Sequence, residues 1–516
     1  MNYFKRALAL SITLSMGVSS VSCAPAENIP VIDDNYRNYY EIFVGSYYDS
    51  DGDGTGDLKG ITEKLGYIKE LGANGLWLTP IMPSNTYHKY DVDDYRQIDP
   101  SFGTLEDFDE LIKEAHARDI RVVIDLVINH TSDTNEWFKS AVTSVKNGDM
   151  DGEYVDYYHF SDEDQGGGWY QVSGTDYYYE ADFWSEMPDL NLTNEKVISE
   201  IYDIADYWID RGVDGFRMDA ALHYEENDNN KNIEVLKGLY DHCLTKNPGF
   251  YMVSEVWASG SVIADYYRSE TPSFFNFPAS SVEGIIEKTA RGFADSGQLV
   301  NAVKKFQEDY SANNPNFINA WFLTNHDQVR VANNLMSDED AVKFAGGLLS
   351  TMPGAIYVYY GEEIGMKSSG NEDENKRLPF VWSDDTSSAG MCKKVTGASE
   401  VEQNFGSLES QKENENSIYN YYKKALKMRL MNPGIARGSF DIEDGFEDDI
   451  AVVKRSYEEN DIFVIYNSSA DDKEINISDT VLSGKNVSSY LTLDGTEIKS
   501  EGEKLVMKGR SICVMK

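Results

Sequence analysis

The sequence predicts an α/β protein: a (β/α)₈ TIM barrel, with a small domain inserted after strand 3 and a C-terminal antiparallel β-sandwich domain. Two patterns lead to this prediction. Short apolar segments alternate with helical segments from about residue 39 onward, and eight of them precede residue 365. After Pro433 this pattern gives way to segments in which apolar and polar residues alternate. A doubly wound open sheet would also alternate strands with helices, but the count of eight favours the barrel.

The eight segments have the composition of buried strands, although the sixth is weaker than the others. They are residues 39–47, 74–81, 121–128, 212–220, 251–257, 273–278, 318–326 and 355–364. Helical patterns lie between them, such as LKGITEKLGYIKELG, which begins at Leu58. Helical connections of this length return the chain to the same end of the sheet, so the strands should be parallel.

Two breaks in the rhythm divide the chain. Residues 131–190 contain no strong helical pattern and are rich in Tyr, Asp and Gly. Such a long irregular segment inside a compact domain is usually functional, which predicts an inserted domain there. The barrel then comprises residues 36–130 and 191–432, and residues 433–516 form the C-terminal β domain. Segments such as IAVVKRSY and IFVIYNSS have the alternation of half-buried antiparallel strands.

The N-terminal 23 residues read as an export signal. Lys5 and Arg6 precede a short apolar run and then small residues, and the run is too short to span a membrane. Cys23 stands where a bacterial lipoprotein would be cleaved and acylated, although Ser20 and Val21 are unusual before such a cysteine. The prediction is a secreted or extracellular protein, and both lipid anchoring through Cys23 and simple secretion remain open.

The net charge of −42 excludes a general binder of nucleic acid or of anionic membranes, since phosphate contacts need clustered Lys and Arg. It suits a soluble protein that acts on a neutral or cationic substrate. The 34 tyrosines offer flat apolar faces with a polar tip, which suit sugars, although any single one can equally fill the core. The three cysteines after Cys23 are few and scattered, and they predict no disulfide framework.

Charged and polar residues follow four of the predicted strands. Catalytic groups of barrel enzymes lie at the carboxyl ends of the strands, and this end carries Asp125, Asn129, His130, Arg217, Asp219, His223, Glu255, His326 and Asp327. Paired carboxyl groups without a serine or cysteine nucleophile suggest glycoside hydrolysis, in which one acid protonates the leaving oxygen and one carboxylate lies at the anomeric carbon. Arg217 shares a strand face with Asp219 and would keep it ionised, whereas Val256 and Trp257 give Glu255 an apolar setting that raises its pKa.

Five short motifs occur in order: DLVINH, MPDLN, GFRMDAALH, the Glu of SEVW, and TNHD. With these motifs, the chain resembles the α-amylase family of glycoside hydrolases (glycoside hydrolase family 13) from about residue 36 onward. MPDLN at residues 187–191 looks intermediate between the motifs of oligo-1,6-glucosidases and neopullulanases. The resemblance implies a retaining α-amylase that cleaves internal α-1,4 bonds of starch and maltooligosaccharides.

The resemblance also implies roles for individual residues. Asp219 would be the nucleophile, Glu255 the general acid and then base, and Asp327 would bind and distort the sugar. The carboxyl groups of Asp219 and Glu255 would lie roughly 5–5.5 Å apart, as in retaining enzymes. Substrate binding is expected of His88, Tyr90, His130, Arg217, His326 and Arg330.

The segment DSDGDGTGD at residues 49–57 resembles a calcium loop, yet Gly60 stands where an EF-hand has its bidentate Glu. This excludes a typical EF-hand sensor. Similar acidic loops in the resembling family hold a structural Ca²⁺, which implies the ligands Asp49, Asp51, Asp53, Asp57 and the Thr55 carbonyl group. A second calcium site is implied at Asn129, Asp189 and His223, where it would clamp the inserted domain to the barrel.

Several functions remain open at this point. Leu222 replaces a Lys that many amylases have before the corresponding His, whereas Ala220 directly after Asp219 favours an amylase over enzymes specific for α-1,6 bonds. The alternatives are an exo-acting α-glucosidase or neopullulanase-like enzyme, and a 4-α-glucanotransferase. A non-catalytic starch-binding protein on the same barrel is a further alternative, but such proteins typically lose the acids that this chain retains. A monomer is expected.

Overall fold

The computed structural model describes residues 34–225 and 228–516. The export signal predicted for residues 1–23, with Cys23, lies outside the described residues. None of the helices in the described part of the chain combines the length and apolar character that crossing a membrane requires.

Eight parallel strands form the barrel, as predicted. They are Asn38–Ile42, Gly75–Leu78, Arg121–Leu126, Gly215–Met218, Tyr251–Ser254, Ser273–Phe274, Ala320–Phe322 and Ala355–Tyr359, referred to below as barrel strands one to eight. Around the barrel, strand seven pairs with strand eight, strand eight with strand one, and the series then runs in order to strand six. A single parallel bridge between Phe275 and Ala320 closes the ring between strands six and seven. Tyr39 stacks on Tyr251 and Tyr357 inside the barrel, so its interior is a packed core.

Helices lie between the barrel strands along the chain, and further short helices lie in the loops. They are Leu58–Leu71, Leu105–His116, Glu136–Lys146, Glu195–Asp210, Asn229–Lys246, Gly260–Tyr266, Ile285–Ala290, Ser296–Ser311, Val331–Asn334, Glu339–Ser350, Asp373–Lys376, Leu408–Lys412, Ile418–Met431 and Gly434–Arg437. Short 3₁₀ turns occupy Val44–Ser46, Val155–Tyr157, Tyr267–Ser269, Phe277–Ala279 and Glu362–Ile364. Side-chain caps fix several helix starts. Asp57 accepts a hydrogen bond from the Gly60 backbone N–H at 2.7 Å and thereby begins the first helix.

The segment after strand three contains a helix that the sequence analysis did not predict. Glu136–Lys146 buries Phe138, Ala141 and Val145 on one face, and Asn135 caps its start. Three short antiparallel strands follow, at Phe160–Ser161, Trp169–Gln171 and Tyr178–Glu180. An antiparallel bridge between His130 and Asp189 joins the two ends of this segment, so it leaves and re-enters the barrel at one place.

The C-terminal part is made of antiparallel strands, as predicted. A five-stranded sheet contains Asp441–Glu443, Ile450–Tyr457, Asn460–Asn467, Ser511–Met515 and Val487–Leu491, and a three-stranded sheet contains Lys473–Asn476, Lys504–Met507 and Ser500–Glu501. Val452 and Ile465 of the larger sheet share an apolar cluster with Leu505 of the smaller one. Ser296, which begins a barrel helix, donates from its hydroxyl group to the Asp449 carbonyl oxygen at 2.9 Å and so joins the two parts.

Candidate active site

A cavity of about 320 Å³ opens at the carboxyl ends of the barrel strands. The predicted site residues His88, Tyr90, His130, Asp219, His223, Glu255 and Asp327 all line it. Asp219 and Glu255 directly follow strands four and five, and Asp327 lies in the loop after strand seven. Parallel barrel strands deliver their carboxyl ends to one face, which is why three acids distant in sequence meet here.

Arg217 lies beneath the cavity and contacts three carboxyl groups. Its Nη1 is 2.5 Å from Asp125 Oδ1 and also contacts Asp219 Oδ1, and its Nη2 is 2.8 Å from Glu255 Oε2. The guanidinium group is buried and does not line the cavity. A buried cation needs compensating charge, and the carboxylates around Arg217 supply it.

The backbone of the loop after strand four positions Glu255. Ala220 has a φ of 47°, in the left-handed region, and its N–H donates to Glu255 Oε2 at 3.0 Å. The Glu255 N–H donates to the Met218 carbonyl oxygen, and the Ala221 N–H donates to the Glu255 carbonyl oxygen. These bonds connect the ends of strands four and five, so the positions of Asp219 and Glu255 depend on each other.

Burial raises the pKa of both Asp219 and Glu255, while the Arg217 guanidinium opposes the shift in each case. The nearby Asp327 carboxylate also acts to raise both pKa values. A raised pKa lets Glu255 retain a proton for donation, which is the property required of a general acid, whereas at Asp219 the Arg217 guanidinium favours the ionised form that a nucleophile needs.

Asp327 has the opposite electrostatic setting. Although burial favours its neutral form, the charges of His326 and Arg377 hold the pKa of Asp327 well below its usual range. Arg377 Nη2 lies 2.7 Å from Asp327 Oδ1, and His326 Nε2 lies 3.0 Å from Asp327 Oδ2. Burial alone would lower the pKa of His326, but the carboxylates of Asp327 and Glu41 raise it to about 10. Asp327 therefore stays ionised as a hydrogen-bond acceptor.

Sequence reasoning expected His326 to contact the sugar, but the structure does not bring it to the cavity surface. His326 is fully buried, with the Tyr90 ring stacked on it at 5.5 Å and the Tyr90 hydroxyl group 2.6 Å from its Nε2. Its Nδ1 lies 2.6 Å from Glu41 Oε1. In this arrangement, His326 supports Tyr90 and Asp327 from below.

Arg330 is also placed away from the cavity, contrary to the sequence prediction. It is 1 % exposed, its Nη1 donates to the Tyr360 carbonyl oxygen at 2.6 Å, and its Nε donates to the Lys376 carbonyl oxygen at 3.1 Å. The physical reason is local: Arg330 occupies the N-cap position of the short helix Val331–Asn334, and its guanidinium group bonds to carbonyl groups of the loop after strand eight. The arginine that lines the cavity is Arg377, which sequence reasoning missed.

Two histidines of the cavity lining have a ring nitrogen available for a hydrogen bond. The Tyr90 N–H donates to His88 Nδ1 at 3.1 Å, which places the proton of the neutral ring on Nε2. His130 Nε2 has no hydrogen-bond partner among the described residues. Burial lowers the pKa of each ring to about 4, so both are neutral near pH 7. Neutral imidazole nitrogens of this kind suit the hydroxyl groups of an uncharged ligand.

Aromatic side chains line the outer part of the cavity. Phe183 is 49 % exposed and lies against the rings of His130 and His223. Trp257 is 52 % exposed and stacks on Phe277 at 4.8 Å. Exposed aromatic faces beside polar groups are suited to the apolar faces of sugar rings. The further lining residues Met187, Leu222 and Asp373 were not predicted.

The acidic loop after strand one brings together three of its five predicted calcium ligands. Carboxylate oxygens of Asp49, Asp51 and Asp57 lie within 4.8 Å of one another. Asp53 is outside this group, and its Oδ1 accepts a hydrogen bond from the Thr55 N–H at 2.6 Å. Three carboxylates at this spacing fit a hard cation such as Ca²⁺, which prefers oxygen ligands and would offset their repulsion.

The residues of the second predicted calcium site are neighbours. Asn129 Nδ2 donates to Asp189 Oδ1 at 3.0 Å, and Asn129 Oδ1 is buried without a partner in the described part of the chain. Asp189 and His223 line a separate cavity of about 230 Å³, together with Glu180, Asp182 and Glu225. The set is rich in oxygen donors, and calcium binding there stays a prediction.

A closed (β/α)₈ barrel with three carboxyl groups, neutral histidines and aromatic rings around one cavity defines a class of protein, the barrel glycoside hydrolases. Within this class the chain belongs to the α-amylase family, because the family model "Alpha amylase, catalytic domain" matches residues 41–438. The resemblance found in the sequence motifs is thereby confirmed.

Named relatives agree with this assignment. The chain is 40 % identical to α-amylase 3 of Dictyoglomus thermophilum over 451 residues, which cover 86 % of this chain and 88 % of the relative. It is 29 % identical to an oligo-1,6-glucosidase of Bacillus cereus over 522 residues, which cover 84 % of this chain and 90 % of the relative. The solved structure of Eubacterium rectale Amy13B superimposes with a TM-score of 0.91 at 41 % identity, covering 94 % of this chain and 96 % of that one.

Proposed function

We propose that this protein is an endo-acting α-amylase that hydrolyses internal α-1,4 bonds of starch and maltooligosaccharides with retention of configuration. One observation carries the proposal: Arg217 contacts the carboxyl groups of both Asp219 and Glu255, and both line one cavity with Asp327. Two carboxyl groups that share one guanidinium group are close enough to act on the same glycosidic bond.

In the first step, the Asp219 carboxylate attacks the anomeric carbon while Glu255 donates its proton to the glycosidic oxygen. The bond from that carbon to the oxygen breaks, and a covalent glycosyl ester forms on Asp219. In the second step, the Glu255 carboxylate takes a proton from water, whose oxygen attacks the same carbon and releases Asp219. Each carboxyl group thus returns to its starting state.

The remaining lining residues suit a neutral hexose ring. Tyr90 offers its aromatic face, His88 Nε2 offers a donor to hydroxyl groups, and His130 Nε2 has no other hydrogen-bond partner among the described residues. The Asp327 carboxylate, held in place by Arg377, offers an acceptor. Its ionised state strengthens hydrogen bonds to sugar hydroxyl groups.

A second candidate activity is exo-acting or α-1,6-directed hydrolysis. The similarity of this chain to the oligo-1,6-glucosidase of B. cereus supports it. Transfer of the glycosyl group to another sugar is a third outcome of the same intermediate. These activities differ in which hydroxyl group attacks the intermediate and in which rim of the cavity is blocked. We regard endo-hydrolysis as best supported, because the relative with 40 % identity is named an α-amylase.

The proposal includes a structural calcium ion held by Asp49, Asp51 and Asp57. Bound there, it would stabilise the loop after strand one and the start of helix Leu58–Leu71, which Asp57 caps. It also includes export from the cell, with attachment to the membrane, if any, through a lipid on Cys23. An exported enzyme can cut a polymer that is too large to import.

The test is product analysis with the purified protein, with calcium present, on soluble starch, maltoheptaose and isomaltose. Early products of intermediate length, released first as the α-anomer in proton NMR, are expected. Glucose or maltose alone, or cleavage of isomaltose, would establish exo-acting or α-1,6 hydrolysis, and products longer than maltoheptaose would establish a transferase. An absence of products would favour a starch-binding protein and contradict the roles of Asp219 and Glu255.

A further inference from the structure

Barrel strand one places a glutamate inside the barrel, below the cavity. Glu41 is 1 % exposed and lies near the carboxyl end of the strand Asn38–Ile42. Side chains two residues apart on a strand point to the same side, and Tyr39 packs in the barrel interior, so Glu41 points there too. A carboxylate at this depth needs a compensating charge or strong hydrogen-bond donors. The mechanism proposed above assigns Glu41 no role.

His326 provides the donors. Its Nδ1 lies 2.6 Å from Glu41 Oε1, and its backbone N–H donates to the same oxygen at 3.2 Å. On the other side of the ring, Nε2 lies 3.0 Å from Asp327 Oδ2. A ring nitrogen at either distance from a carboxylate oxygen must carry a proton, because two lone pairs would repel each other. With both carboxyl groups ionised, the His326 ring is therefore a doubly protonated imidazolium.

Four side chains form a chain of alternating charges: Glu41, His326, Asp327 and Arg377. Arg377 Nη2 donates to Asp327 Oδ1 at 2.7 Å, and its Nε donates to the His326 carbonyl oxygen at 3.1 Å. One cation thus holds each oxygen of the Asp327 carboxylate. The four charges sum to zero, which reduces the cost of burying them. The orientation of Asp327 therefore depends on both of its cationic neighbours.

The surroundings of His326 favour the charged ring. Titratable groups of neighbouring elements also face this chain of charges: Tyr90, Asp125, Arg217, Asp219 and Tyr359. Two of them are carboxyl groups, and the guanidinium group is the opposing charge. Burial alone lowers the pKa of His326, but Asp327 and Glu41 raise it to about 10. Burial raises the pKa of Glu41, and the hydrogen bond from His326 opposes that rise.

We propose that Glu41 is a positioning residue, which keeps His326 in the imidazolium form that orients the Asp327 carboxylate toward the sugar. The inference rests on the proposed function and deepens it. Without the Glu41 charge, the imidazolium loses its Nε2 proton at a lower pH. Nε2 then presents a lone pair to Asp327 Oδ2, and the carboxylate loses one of its two cationic donors.

Glu41→Gln tests the proposal, because it removes the charge while keeping the size and an oxygen acceptor for Nδ1–H. Glu363→Gln is the matched control. Glu363 is also a fully buried glutamate, but it accepts hydrogen bonds from the hydroxyl groups of Tyr40 and Tyr67 and does not line the cavity. The measured quantity is kcat/KM for α-glucosyl fluoride between pH 6 and pH 9. Fluoride leaves without protonation, so this reaction does not require the proton of Glu255.

We expect Glu41→Gln to lower this kcat/KM about tenfold more at pH 9 than at pH 6, since each pH unit above a pKa changes the protonated fraction about tenfold. Glu363→Gln should keep the same ratio to the unmodified protein at both pH values. Melting temperatures establish that both variants are folded. An equal loss at both pH values with Glu41→Gln, or no loss at either, would overturn the inference.

NMR of the histidine rings tests the charge of His326 without a substrate and without a variant. In two-bond ¹⁵N–¹H spectra, this ring is assigned by its contacts with the Trp77 ring, whose centroid lies 5.6 Å away. It should stay doubly protonated from pH 6 to pH 9, and in Glu41→Gln it should lose a proton within this range. A neutral His326 ring in the unmodified protein at pH 7 would overturn the inference.

The spectra also separate the two proposals. A doubly protonated His326 ring in a protein that cleaves neither α-glucosyl fluoride nor maltoheptaose would contradict the proposed function, and the role of Glu41 in the reaction with it. Cleavage of both substrates with a neutral His326 ring, or with a pH-independent effect of Glu41→Gln, would contradict the role of Glu41 alone.

Discussion

Arg217 Nη2 lies 2.8 Å from Glu255 Oε2, the same oxygen that accepts the Ala220 N–H. The proposed acid is therefore held by a buried cation, which opposes the rise in its pKa that burial produces. Glu255 must lose its proton in one step and regain it in the next. A site that balances burial against a positive charge suits both states of the carboxyl group.

Glu255→Gln should lower kcat on maltoheptaose by about 10²–10⁴-fold, the usual contribution of general acid–base catalysis. It should affect formation of the intermediate from α-glucosyl fluoride far less, because fluoride leaves without protonation. A pre-steady-state burst of fluoride release measures this step. Asp219→Asn, matched in size and charge change, should abolish both reactions. Equal losses on the two substrates with Glu255→Gln would contradict its role as the acid.

Arg377 and Arg330 make a matched pair for a second prediction. Arg377→Lys should lower kcat/KM for maltoheptaose about 10–100-fold, because hydrogen bonds to charged groups contribute about 1.5–3 kcal/mol and Lys cannot reproduce the guanidinium geometry. Arg330→Lys should mainly lower the melting temperature, since Arg330 bonds to buried carbonyl groups. Kinetics and thermal unfolding of both variants check this. A greater loss of kcat/KM in Arg330→Lys would support the original sequence prediction.

The barrel and its three acids could be predicted from the sequence because each depends on local patterns. Eight apolar segments alternate with helical segments, and Asp219, Glu255 and Asp327 each lie at or just beyond the carboxyl end of one of them. Arg377 could not be predicted, because it meets Asp327 from a loop 50 residues further along the chain. That contact depends on how the loop after strand eight folds, and no periodic pattern of apolar residues in the sequence predicts it.

Sequence position also does not determine where a side chain points. Arg330 and His326 were both expected to face the sugar, yet their polar atoms bond to Tyr360, Glu41 and other groups inside the protein. The helix Glu136–Lys146 escaped prediction for another reason. Its sequence EWFKSAVTSVK contains the β-branched residues Val142, Thr143 and Val145, which have low helix propensity, and burial of one apolar face stabilises it nevertheless.

Calcium should stabilise the folded protein through Asp51 and not through Asp53. Only Asp51 belongs to the group of converging carboxylates, although the sequence suggested both residues as ligands. A ligand at 100 times its Kd stabilises the native state by about 2.7 kcal/mol. Asp51→Asn should therefore lose the increase in melting temperature that calcium gives to EDTA-treated protein, while Asp53→Asn should retain it. Equal losses in both variants would show that Asp53 is a ligand.

Glu287 should make the protein less stable as the pH rises. It is buried on helix Ile285–Ala290, its Oε2 has no partner among the described residues, and burial raises its pKa from 4.5 to about 8. Between these two pH values the unfolded chain has released this proton and the folded protein retains it. The free energy of unfolding therefore falls, as the pH rises, by at most about 1.4 kcal/mol per pH unit.

Glu287→Gln should remove this dependence on pH, so its urea midpoint should exceed that of the unmodified protein at pH 8 and approach it at pH 5. Glu283→Gln, at an exposed carboxylate, is the control. Parallel curves for Glu287→Gln and the unmodified protein would mean that Glu287 is ionised in the folded state.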